Sequence, residues 1–241
     1  MATGSDEILE QSAPGFRPAP RKRLFIWGAA VALIVVLFGF ARTYYLKGFF
    51  EDRGLSTLVH VHGLVMTLWF GTLLAQVLLV ETGNVATHRR VGIFGVIVAV
   101  MVLVVGTVTA LAAARNGVTP GPPPLVFLAI PLGDMVVFAI LIALGVAYRR
   151  RGDFHKRYML MASLAILTAA IARLPVPGGL PAFFALTDLI IIGFVIADTV
   201  SGRRLHPAFA IGLAIVIASQ IGRFLLAGTQ EWLRFARWIT G

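Results

Sequence analysis

Five histidines stand at positions 60, 62, 88, 155 and 206, and each lies where an apolar run begins. Imidazole is the side chain that both titrates near neutral pH and, when neutral, ligates transition metals. Four further ionisable groups, Asp134, Arg173, Asp188 and Arg223, fall inside or at the ends of the apolar runs. A central Asp or Arg in lipid costs about 2.5–3.5 kcal/mol on insertion scales, so each of these groups needs a partner or a purpose. The sequence has no cysteine. Thiolate zinc sites, iron–sulfur clusters and covalent haem attachment through C-x-x-C-H are therefore excluded, and any metal would be held by nitrogen and oxygen donors, with methionine as a further candidate.

Two readings of the submerged groups stand side by side. In one, His62, Asp134 and Asp188 converge to hold a metal, a haem propionate, a quinone or protons, with Arg173 or Arg223 setting the local charge. In the other, Arg173 pairs with Asp188 and Arg223 with Asp134 as buried ion pairs that fix helix register, while His62 bonds to a backbone carbonyl. His60 and His62 lie about 200° apart on a helix. His62 is the one whose face continues through Met66, Trp69, Leu73 and Gln76, so His60 is read as an interfacial residue. His88, His155 and His206 each precede or open a later apolar run, with Glu81, Asp153 and Asp198 nearby. They form either a second imidazole site suited to zinc, copper, iron or haem, or ordinary basic-loop residues facing lipid phosphates.

The elements that must position these residues are helices in a membrane. Of the 241 residues, 58% are hydrophobic and 13% charged, a balance outside the range of soluble domains. A bilayer core needs about 20 apolar residues per helical crossing. Runs of that kind lie near 24–43, 57–80, 91–114, 125–148, 157–174, 182–200 and 208–227, separated by breaker segments such as "RNGVTPGPPP" and "LPVPGGLP". The expected architecture is all-α: a polytopic bundle of seven membrane helices over 23–228, preceded by a disordered cytoplasmic tail over 1–22 and followed by a short interfacial helix over 229–241. Within the fourth run, Pro131 stands three residues before Asp134 and is expected to kink the helix there.

Placing the N-terminus in the cytoplasm puts thirteen of the twenty-one Lys and Arg residues on that side, the bias expected of a multi-pass plasma-membrane protein. The formal charge of +10 is dispersed in short clusters between apolar runs, which argues against nucleic acid as a partner. The bilayer, a membrane-protein partner or a second copy of the chain are the partners expected. A retinal-type protein needs a lysine in the last helix, whereas the lysines here are Lys22, Lys47 and Lys156.

A histidine opening a helix, Gln76 within it, then "HRRVG", "DFHKRYM" and "IARLP" give a pattern over residues 60–175. It resembles an uncharacterised family of bacterial polytopic membrane proteins and, more distantly, the b-type cytochrome bundles. The resemblance implies that His62, His88 and His155 are the residues to watch, with haem b or a transition-metal ion as cofactor. The outer His62 lacks a histidine at the same depth, so a two-haem wire is not implied; a single inner haem held by two of His88, His155 and His206 is. The expected function is a haem- or metal-linked redox or assembly component. A proton-coupled transporter using Asp134 and Asp188, or a structural membrane partner without a site, is the alternative.

Overall fold

The computed structural model describes residues 21–50, 54–119 and 121–241 and, among these, is all-helical. The tail expected over 1–22 lies outside the described residues apart from 21–22, which open the first helix. Ten α-helices are formed among the described residues: α1 (Arg21–Gly39), α2 (Thr57–Glu81), α3 (Val85–Arg115), α4 (Pro124–Phe127), α5 (Ala129–Ala147), α6 (Gly152–Ala165), α7 (Thr168–Ile171), α8 (Gly179–Gly202), α9 (Pro207–Leu226) and α10 (Gln230–Thr240). Five segments are long and apolar enough to cross a membrane: α2, α3, the joined α4–α5, α8 and α9. The apolar helix α1 is shorter.

Local chemistry sets the ends. Ser56, Asn84 and Thr229 accept from the N–H groups of Val59, Thr87 and Trp232, capping α2, α3 and α10. Pro207 opens α9 where a missing N–H does no harm. The kink expected at Pro131 is a break at Leu128, between α4 and α5. Pro131 has no N–H to give the carbonyl of Phe127, and α4 ends at that residue.

The run 157–174 differs from the single helix expected. The helix starts earlier, at Gly152, and stops at Ala165; after a turn at Ile166–Leu167, α7 resumes the path. The N–H of Leu167 bonds three residues back, to Leu164, at 3.1 Å, which tightens the chain and ends the α-helical register. Segment α6–α7 is the axis of the bundle. Arg157, Tyr158 and every residue from Leu160 to Ala165 are buried, enclosed by α1, α5, α8 and α9, with α2 joining through the Trp69 indole N–H to Ser163 Oγ at 3.2 Å. Close approach depends on small residues at particular places. A Cβ on Gly39 would lie 2.3 Å from the Ala170 carbonyl, and one on Gly145 2.8 Å from Met159 Sδ.

The pairings define two ends. The basic end gathers the start of α1, the α2–α3 turn, the α5–α6 turn and the α8–α9 turn, with Arg89, Arg90, Arg149, Arg150, Arg151, Arg203 and Arg204 exposed around it. The opposite end carries α4 and α10. Helix α10 docks through Trp232, Ala236 and Thr240, the Trp232 indole donating to the Leu125 carbonyl at 2.7 Å. Phe235 and Trp238 remain exposed, so the docked stripe is not the Trp232–Phe235–Ile239 face that helical spacing alone selects.

Candidate functional site

At the basic end, α3 and α6 bring two of the expected imidazoles together. The ring centroids of His88 and His155 are 6.2 Å apart and nearly perpendicular. His88 Nδ1 lies 3.3 Å from the carbonyl of Gln76 on α2, and His155 Nδ1 lies 2.8 Å from the carbonyl of Gly145 on α5. A carbonyl only accepts, so both Nδ1 atoms carry a proton, and in the neutral rings the lone pair is on Nε2. Holding the distal N–H on a backbone carbonyl is how proteins orient metal-ligating histidines. Two rings sharing one ion at about 2.0–2.1 Å from each nitrogen would have centroids separated by roughly 5–6 Å, close to the spacing here. Two more groups adjoin the pair. Met159 follows His155 by one turn, with Sδ against Gly145, and the buried Gln76 Oε1 has no hydrogen-bond partner.

His206, the third expected member, is turned away from this pair. Its Nδ1 accepts from the N–H of Ala208 at 3.2 Å, capping α9, which leaves Nε2–H to donate to Asp153 Oδ2 at 3.2 Å. Burial is the main reason its pKa sits below the ordinary imidazole value; Arg157 acts in the same direction, and the bond to Asp153 opposes both. Beside it, Arg157 makes a forked contact with Asp198: Nε to Oδ2 at 2.9 Å, Nη2 to Oδ1 at 2.7 Å and to Oδ2 at 2.8 Å. Nη1 reaches the Asp153 carbonyl at 2.6 Å, and the rings of Phe25 and Phe209 cover the guanidinium. This pair ties α6 to α8. The sequence signal that could have found it is Asp198, an acid at the end of an apolar helix that demands a cation, although nothing in the sequence of α6 points to Arg157 as that cation.

Towards the opposite end, the metal set His62, Asp134 and Asp188 is not assembled, and no group of three or more His, Asp or Glu suited to a metal occurs among the described residues. The carboxylates are engaged elsewhere. Asp134 on α5 takes Arg223 Nη1 at 2.5 Å, and the same guanidinium bonds to the carbonyls of Ile130 and Ser219, each at 3.2 Å. Gly133 makes the room, since a Cβ there would fall 2.3 Å from Arg223 Cδ. Asp188 on α8 accepts from Gln220 Nε2 of α9 at 2.8 Å. Of the two ion pairs expected, then, Arg223–Asp134 forms. Arg173 instead lies over the Phe40 ring at 4.4 Å and donates to the carbonyl of Ala169, because it sits at the end of α7 beside α1 while Asp188 faces α9.

His62 is left without a carboxylate, and its buried Nδ1 has no hydrogen-bond partner. His60 packs its ring 5.9 Å from that of Tyr44 near the start of α2. Comparisons of the chain with protein-family models, with curated proteins and with solved structures return no match.

Proposed function

We propose that the chain is a multi-pass plasma-membrane protein, with seven crossings and its basic end in the cytoplasm, that binds a transition-metal centre through His88 and His155 in a redox or metal-assembly role. The seven crossings are the five long apolar segments together with α1 and the broken α6–α7. The observation that carries the reading is the pair itself: two imidazoles from separate hairpins, each with its Nδ1–H anchored on a backbone carbonyl and its Nε2 free. A lone structural histidine needs one partner; two oriented rings at ligand spacing are what a shared electrophile requires. When bound, the centre would supply one-electron chemistry or a transferable ion. His88 and His155 fix its position, and the exposed arginines around the site give it a cationic rim.

The test is an optical spectrum with elemental analysis of the protein purified in detergent without chelator. A Soret band or a first-row metal near one per chain is expected, lost in His88→Ala and His155→Ala. Absence of both from the wild-type protein would end the reading. One observation favours a carrier instead: Asp188 is half-buried and held by a neutral amide rather than a cation. Proton-coupled flux into vesicles that disappears in Asp188→Asn and survives in His88→Ala would select that alternative.

A further inference from the structure

His62, whose buried Nδ1 has no hydrogen-bond partner, stands one helical turn before Met66, and we infer that His62, Met66 and Met135 form a second metal site, selective for cuprous ion, at the end of the bundle opposite the His88–His155 pair. The position is fixed by the α2–α3 hairpin. Thr72 and Gln76 of α2 lie against Gly95 and Gly92 of α3, each 3.5 Å from where a Cβ would stand, and Met66 Cε is 3.4 Å from the corresponding point on Gly106. Met135 enters from α5 to the same point, its Sδ only 2.6 Å from it. The missing side chain of Gly106 therefore brings two thioether ends together from different helices. His62 is one turn from Met66 on the same face of α2. Continuing the antiparallel pairing places it level with Thr109 and Ala110.

Two of the four buried side-chain atoms without a hydrogen-bond partner among the described residues fall at that level. His62 Nδ1 and Thr109 Oγ1 are both buried and both lack a partner. An orphaned buried polar atom costs about 1–3 kcal/mol, so two at one depth in an otherwise apolar region give a bound ion something to relieve. The donor set decides what. One imidazole and two thioethers are neutral and soft, a set that selects Cu(I) over calcium, magnesium or manganese. The nearest carboxylate on α5, Asp134, is already bound by Arg223, so no anion offsets a second positive charge.

The same i, i+4 pairing of imidazole and methionine recurs at the other end as His155 and Met159. The inference shares the metal-binding reading of the preceding section but uses none of its residues, so the two can fail separately.

The experiment is anaerobic titration of the detergent-purified chain with Cu(I) against a chromogenic chelator, followed by X-ray absorption at the copper edge. The His88→Ala/His155→Ala variant is the reference, because the other site is then removed. It is expected to retain one Cu(I) per chain with sulfur scatterers in the first shell. Met66→Leu/Met135→Leu in the same background should weaken retention at least 100-fold. Leucine is close to methionine in volume, so the packing at Gly106 survives. If the reference variant holds no Cu(I), or holds it with nitrogen and oxygen scatterers alone, the inference is overturned whatever the His88–His155 pair does. Should the methionine variants not fold, the absorption spectrum of the reference variant still decides.

Discussion

Asp198→Ala isolates the strongest electrostatic commitment in the bundle. The side chains of Arg157 and Asp198 are 3% and 0% exposed, so neither charge is relieved by water. Removing the carboxylate deletes three short N–H···O contacts. The guanidinium keeps the Asp153 carbonyl and the two ring faces, one at 5.8 Å and one at 5.6 Å. Breaking a buried pair from one side costs about 3–5 kcal/mol, because the surviving charge is stranded. Asp198→Asn keeps one acceptor oxygen and the shape of the side chain, and should cost about 1.5–3 kcal/mol. The double replacement Arg157→Met/Asp198→Leu removes both charges and fills similar volume, so it should return to within about 1 kcal/mol of wild type. Equilibrium unfolding in mixed detergent micelles measures all three, with Trp69 fluorescence reporting on α6 through its bond to Ser163. A loss under 1 kcal/mol in Asp198→Ala, or a double variant no more stable than the single, would refute the assignment of this pair as the tie between α6 and α8.

Gly133→Ala should displace Arg223 and loosen its bond to Asp134, since the new Cβ would stand 2.3 Å from Cδ in the middle of that side chain. A loss of about 1–3 kcal/mol in the same unfolding assay is expected, and one below half that range would mean Arg223 reroutes freely. In the folded chain the pKa of His206 lies below the ordinary imidazole value of 6.5, so the unfolded chain binds the extra proton first. The contribution of this group to stability is then complete above pH 6.5 and is lost as pH falls through the lower folded value. A pH series of unfolding midpoints should show that loss, and His206→Asn, which keeps a capping side chain, should flatten it. Because the chain has no cysteine, Gly228→Cys and Arg204→Cys each introduce a single thiol at an exposed position. An impermeant maleimide should label the first on intact cells and the second only after permeabilisation, and the reverse pattern would invert the proposed orientation. Zinc or Cu(I) at 100 times its dissociation constant should stabilise the chain by about 2.7 kcal/mol, while magnesium and calcium should leave it unchanged.

Hydropathy and breakers are enough to locate the five long apolar segments, because Pro, Gly and charge interrupt them, but not the break within 157–174. They are not enough to orient them. On α3 the buried residues are Gly95, Val98, Ala99, Val102, Gly106, Ala110 and Ala114, while Ile93, Ile97, Val100 and Val104 are exposed. Both faces are equally apolar, since lipid is as apolar as the interior, and only residue size distinguishes them. The Arg223–Asp134 pair is legible in the sequence because each charge has few alternatives at its depth. The Arg173–Asp188 pair fails because spacing along the chain does not reveal that α7 packs on α1. The same gap hides the meeting of His88 with His155 and the departure of His206 to Asp153. Which loop histidines meet depends on the order in which hairpins pack around α6, a relation between segments tens of residues apart.

The allocation of charge in the bundle narrows what it can bind. Asp134, Asp188 and Asp198 each accept from a side chain on another helix, and in two of the three the donor is an arginine. These carboxylates hold α5, α8, α9 and α6 in register, and moving any of them to a ligand would strand its donor. His62, His88 and His155 carry no such duty: their ring bonds are to backbone carbonyls or absent. The donors left over are imidazoles, with Met66, Met135 and Met159 in the same helices or facing them. Hard cations require several anionic or carbonyl oxygens at once, and Asp134, Asp188 and Asp198 already hold donors from other helices. On the proposed metal-binding reading, a bundle that uses these acids for register and leaves its imidazoles and thioethers outside the ion pairs would favour a borderline or soft metal over a hard one.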